Sequence, residues 1–102
     1  MTKQEVLTKV VEEAKLRGLS KHTQEEYYFK VKLFQDHYDK PATELSVDNV
    51  RDYLYYLTTE RQLTSGTINV YNSGLRFLYS KVLHKQNEPV LKPEFIVINS
   101  AN

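Results

Sequence analysis

The stretch Thr64-Ser65-Gly66-Thr67-Ile68-Asn69-Val70-Tyr71-Asn72-Ser73-Gly74-Leu75-Arg76-Phe77-Leu78-Tyr79-Ser80-Lys81-Val82 sets Ile68, Tyr71, Leu75, Leu78 and Val82 at steps of three and four. That spacing is the period of a helix with one face in a core. Thr64 or Ser65 can cap its start, and the pattern predicts a helix from Ser65 to about His84. Gly74 inside it costs roughly 1 kcal/mol against alanine, which a close approach by another helix, or by a ligand backbone, would explain. The polar side carries Thr67, Asn69, Asn72, Ser73, Arg76, Ser80 and Lys81.

Working outward, three more segments read as helices. Val47, Val50, Leu54 and Leu57 form a stripe over Val47–Arg61, widened by Tyr53, Tyr55 and Tyr56, with Ser46 as N-cap. Asp48 and Asp52 stand near its start, where carboxylates complement the helix dipole. Tyr27, Val31, Phe34 and Tyr38 line Lys21–Tyr38, and Lys30, Lys32 and Gln35 lie off that stripe. Ser20 can cap this helix, or Thr23 with Glu26 can form a capping box. Asp39-Lys40-Pro41-Ala42 then reads as a loop. Val6, Leu7, Val10, Val11 and Ala14 predict a first helix over Lys3–Arg17, closed by Gly18. The remainder, residues 86–102, contains Pro89, Pro93 and the run Phe95-Ile96-Val97-Ile98, and reads as an irregular tail. The expectation is an all-α bundle of four helices over residues 1–85.

The composition narrows the function. The chain has 102 residues, 40% apolar and 26% charged, enough for one domain. It contains no cysteine, which removes disulfides, a thiolate nucleophile and Cys-based zinc sites. No apolar run is long enough to span a membrane, and Met1-Thr2-Lys3-Gln4-Glu5 lacks the apolar stretch of a secretory signal, so a cytoplasmic location is expected. There is no Gly-rich phosphate loop. His22, His37 and His84 lack metal-ligand spacing. Glu12-Glu13 and Glu25-Glu26 are helix neighbours that diverge rather than converge on one atom. No cofactor, metal or catalytic constellation is expected.

Net charge is only +1, but it is polarised. Ala14–Gln24 holds Lys15, Arg17 and Lys21 with no acid. Arg61, Arg76, Lys81 and Lys85 give +4 over residues 61–87, while Arg51 against Glu44, Asp48, Asp52 and Glu60 gives −3 over residues 41–60. Such local fields attract polyanions even near neutrality, although an uneven solvated surface is the plainer reading. Two helix starts, Ser20-Lys21-His22-Thr23 and Thr64-Ser65-Gly66-Thr67, combine free amides with hydroxyl and basic side chains. Such termini suit phosphate oxygens, and capping and phosphate contact are compatible. Asn69, Asn72 and Arg76 follow, and Asn and Arg can pair bidentately with base edges.

Gly18-Leu19-Ser20-Lys21-His22-Thr23 with Tyr27, Val31 and Phe34 resembles the opening of the core-binding domain of tyrosine recombinases, the phage-integrase family. Leu45-Ser46-Val47-Asp48-Asn49-Val50-Arg51-Asp52-Tyr53-Leu54 fits the helix that follows. Leu63-Thr64-Ser65-Gly66-Thr67-Ile68-Asn69, then Leu75-Arg76-Phe77-Leu78-Tyr79, resembles that domain's last helix. The resemblance implies a SAM-like orthogonal bundle that clamps one side of double-stranded DNA while a separate catalytic domain closes on the other. It implies phosphate contacts from Lys21 and Thr23, with His22 and Lys30 on the same side. Thr64, Ser65 and Thr67 would hold a second phosphate. Asn69, Asn72 and Arg76 would face the groove, with Lys81 beyond them. The family's cleavage chemistry needs a His-x-x-Arg element, but Glu25, Lys40 and Asn87 stand three residues after the histidines. The expected role is therefore binding without catalysis, as an excised N-terminal domain or a truncated relative, monomeric when free and meeting other recombinase protomers on DNA. The alternatives are a protein-interaction module, docking through Tyr28, Tyr55, Tyr56 and Tyr79, or a non-functional remnant.

Overall fold

The computed structural model describes residues 1–83. His84, Lys85 and the predicted tail, including Phe95–Ile98 and the boundary at residue 86, lie outside the described residues. Four helices follow one another: α1 (Lys3–Leu16), α2 (Lys21–Tyr38), α3 (Val47–Thr59) and α4 (Ser65–Phe77). No strand occurs among the described residues.

The helix starts form as their side chains dictate. Thr2 caps α1 in a reciprocal box with Glu5, and Ser20 Oγ accepts from Thr23 N–H at 3.1 Å at the start of α2. Of the two starts open to α2, the chain thus takes Ser20. Thr64 Oγ1 accepts from Thr67 N–H at 3.3 Å, so Thr64 rather than Ser65 caps α4. At α3 the side chain of Asn49 takes the leading part: its Oδ1 accepts from Ser46 N–H at 2.8 Å and from the Ser46 hydroxyl at 3.1 Å. Gly18 closes α1 at φ +73°, a left-handed geometry that glycine enters without strain.

α2 ends at Tyr38 as expected, with Asp39 left-handed at φ 53° behind it, while Ala42, expected in a loop, opens one 3₁₀ turn over Ala42–Glu44. α4 does not run unchanged to His84: Leu78–Val82 form a π turn in which Leu83 N–H donates to Leu78 C=O at 2.8 Å. Such a turn takes in one extra residue.

The core gathers Val6, Val10, Val31, Phe34, Val50, Leu57, Leu75, Leu78 and Tyr79, all nearly or wholly inaccessible. Phe34 lies at its centre, with ring centroids 5.4 Å from Tyr53 and 6.5 Å from Tyr79. Burying side chains of this size contributes roughly 1.5–3 kcal/mol each, opposed by chain entropy.

Three polar expectations are corrected here. Gln35, expected off the apolar stripe, is fully buried as a staple: its Nε2 donates to Lys3 C=O at 3.2 Å and its Oε1 accepts from Ala42 N–H at 2.8 Å. Tyr79, expected on an open aromatic face, is 0% exposed, and its hydroxyl donates to Ala42 C=O at 2.9 Å. Asn72, expected to face a DNA groove, is only 4% exposed. The common cause is that α2 and α4 each have neighbours on more than one side, α2 against α1 and α4, and α4 against α2 and α3. The covered arc is therefore wider than one apolar stripe.

Candidate functional site

α2 and α4 form the most extensive helix pair of the molecule. Gly74 lies on their seam. A β-carbon there would sit 3.5 Å from Lys30 Cβ, 3.5 Å from Tyr27 Cδ1 and 3.6 Å from Tyr27 Cα, ordinary van der Waals distances. α2 thus passes close to this position, but an alanine side chain would still fit, and Tyr27 packs on Phe77 beside it with ring centroids 5.2 Å apart.

Along the outside of this seam runs a groove of about 270 Å³, lined by His22, Thr23 and Glu26 of α2 and by Asn69, Val70 and Ser73 of α4, with Tyr27 at its floor. Tyr27 and Ser73 also line the next depression, with Arg76, Phe77, Ser80 and Lys81. Through these shared residues the two depressions adjoin and make a track of mixed character, with Val70 and Phe77 among its hydroxyl and amide groups and Arg76 and Lys81 at one end. Residues 22–26 and 69–81 are distant in sequence, and the seam joins them.

The remaining predicted site residues are distributed differently. Lys21 lines a separate groove on the other flank of α2, with Val11, Lys15, Gln24, Glu25 and Tyr28. Successive helix residues turn by about 100°, so Lys21 and His22 part company although they are sequence neighbours. Thr64, Ser65 and Thr67 are exposed at the start of α4, where the Thr64 hydroxyl donates to Thr67 Oγ1 at 3.1 Å. They do not line the groove. Lys30 is half-buried: its Nζ donates to Glu26 Oε1 at 3.1 Å and stands 5.0 Å from the centre of the Tyr71 ring. Its charge is spent inside the protein. Asn72 points away from the track, and its buried Oδ1 has no hydrogen-bond partner among the described residues.

Glu26, Tyr27 and Ser73 are lining residues that the sequence reading did not assign to the site. Their signal was present in part. Ser73 is four residues after Asn69 and three before Arg76, one helix face. His22, Glu26 and Lys30 form an i, i+4, i+8 ladder, with His22 Nε2 3.7 Å from Glu26 Oε2. The tyrosines proposed for an interaction face do not share one: Tyr55 is 71% exposed, whereas Tyr28 and Tyr56 pack partly against the core. No group of His, Cys, Asp or Glu among the described residues could hold a metal ion. No described helix is long and apolar enough to cross a membrane.

The family described as phage integrase, N-terminal SAM-like domain, matches residues 6–88, and the chain belongs to it. Among curated proteins it is similar to "Putative integrase/recombinase y4qK" of Sinorhizobium fredii (strain NBRC 101917 / NGR234), with 32% identity over 78 residues. That alignment covers 76% of this chain and 25% of the relative, so the chain spans about a quarter of the relative's length. No solved structure matches significantly.

Proposed function

We propose that this domain grips double-stranded DNA as the positioning half of a tyrosine recombinase, while a separate catalytic domain carries strand cleavage. The observation that carries this reading is the track across α2 and α4, where His22, Thr23, Asn69 and Ser73 lead to Arg76 and Lys81. Hydroxyl and amide groups there suit phosphate and base-edge contacts, and the two cations suit phosphates. Lys21, on the other flank, reaches phosphates beyond the track. Membership of the integrase family supports the same reading.

The charge inventory sets the strength. With Lys30 engaged by Glu26, the free cations are few, and contact with about 3–5 phosphates corresponds to dissociation constants of roughly 10⁻⁴–10⁻⁶ M at physiological salt. Fluorescence anisotropy of a labelled duplex of ~20–30 base pairs, titrated at several salt concentrations, tests this. The expected log–log salt slope is about −3 to −4. Absence of binding at low salt overturns the reading.

A second reading, a protein-interaction face, draws on Phe29 and Leu33, one turn apart on α2 and 53% and 45% exposed. Self-association at micromolar concentration without DNA would favour it.

A further inference from the structure

We infer that Glu26 is a base-reading residue that accepts a hydrogen bond from the exocyclic amino group of a cytosine in the major groove; this rests on the DNA-binding reading. Glu26 is the one carboxylate among the residues that line the two depressions, and a carboxylate is out of place for phosphate contact. Against phosphate oxygens it can only repel. A base edge is different, because cytosine presents its N4 amino donor in the major groove and a carboxylate is its natural acceptor.

The side chain is held for that task. Oε1 is occupied by Lys30 Nζ at 3.1 Å. Lys30 is itself immobilised, its side chain only 17% exposed, over the Tyr71 ring and against the α4 backbone at Gly74. Oε2 makes no hydrogen bond among the described residues, since His22 Nε2 stands 3.7 Å away. One oxygen is anchored by Lys30, the other makes no hydrogen bond, and Glu26 lines the groove together with Thr23, Asn69 and Ser73. Lys30 also offsets the charge, so the carboxylate can approach DNA without the full repulsion of a bare anion. A group fixed by its neighbours and left with one free acceptor is how side chains are preorganised for recognition.

The test is selection of bound duplexes from a pool with a randomised central region, followed by sequencing, for the wild type, Glu26→Gln and Glu26→Ala. The wild type is expected to favour cytosine at one position by roughly 5- to 100-fold. Glu26→Gln keeps the shape and should move that preference toward adenine, which offers a donor and an acceptor to an amide. Glu26→Ala should flatten that position alone, with the loss of affinity confined to the cytosine-bearing duplexes. Circular dichroism confirms that each variant folds, and the isosteric Glu26→Gln carries the test should Glu26→Ala not fold. Wild-type binding without a cytosine preference, or a preference unchanged in both variants, overturns the inference and leaves DNA binding standing. No wild-type binding at all overturns both.

Discussion

The two flanks of α2 are built from alternating residues of one helix, yet they are held by different physics. On the α1 side polar ties are added to the apolar core that Val6, Leu7 and Val10 share with Val31 and Phe34. Lys3 Nζ reaches Asp39 Oδ1 at 2.8 Å and Asp36 Oδ1 at 3.4 Å, and the buried Gln35 spans from Lys3 C=O to Ala42 N–H. On the α4 side the tie is close backbone approach at Gly74. The grooves above them differ accordingly. The α1 flank shows Lys15, Lys21 and Glu25, while the α4 flank shows His22, Thr23, Asn69, Ser73 and a Glu26 bound to Lys30. Glu25 and Glu26, adjacent in the chain, therefore line different grooves.

The hardest blow to that contrast is Gly74→Leu. A leucine side chain has no room between α4 and Tyr27, and overpacking of this kind costs about 1–3 kcal/mol. Chemical denaturation should show that loss, and duplex binding should fall with the groove. Gly74→Ala separates volume from flexibility. Its β-carbon meets only ordinary contacts of 3.5–3.6 Å, so stability should hold or rise by up to about 1 kcal/mol through helix propensity.

A middle-sized effect comes from charge. Arg76→Ala combined with Lys81→Ala, on the track, should weaken binding to all duplexes and reduce the magnitude of the salt slope by about two. Lys21→Ala, on the other flank, should reduce it by at most about one. Equal effects per cation would dissolve the distinction between the flanks as DNA surfaces. Anisotropy at graded salt gives both numbers.

The smallest effect is expected from Asp36→Asn on the polar flank. The hydrogen bond from Lys32 holds the Asp36 carboxyl below its ordinary range, with a further contribution from Lys3. A carboxyl depressed in the folded state stabilises above its unfolded pKa, and that stabilisation is lost as pH falls through the folded value. For Asp36 this loss begins below about pH 4. Because the side chain is 43% exposed, solvent screening leaves only a few tenths of a kcal/mol. Thermal melts at pH 7 and pH 3 should differ slightly less for Asp36→Asn than for the wild type.

Much of this molecule is written locally. The span Lys21–Tyr38 follows from Ser20, the apolar step and the residues at its end, and the capped starts of α3 and α4 were visible at Ser46 and Thr64. Even the cost of Gly74 announced a close neighbour. The site was less legible. His22, Thr23, Asn69, Arg76 and Lys81 were expected and line the track, whereas Thr64, Ser65 and Thr67 stand apart at the α4 cap. Lys30 looked like a free cation until its partners Glu26 and Tyr71 were placed beside it.

The amino-acid sequence by itself determined the number of helices, their starts, most of the core and the family's helical character. Those properties arise from contacts three or four residues apart, which the chain carries wherever it folds. Only the tertiary structure decided that Gln35, Asn72 and Tyr79 are buried, that Lys21 and His22 serve opposite flanks, and that Glu26 lies in one groove with Asn69 and Ser73. Those outcomes depend on which helix covers which arc. A helix surface does not carry that information until its neighbours have packed against it.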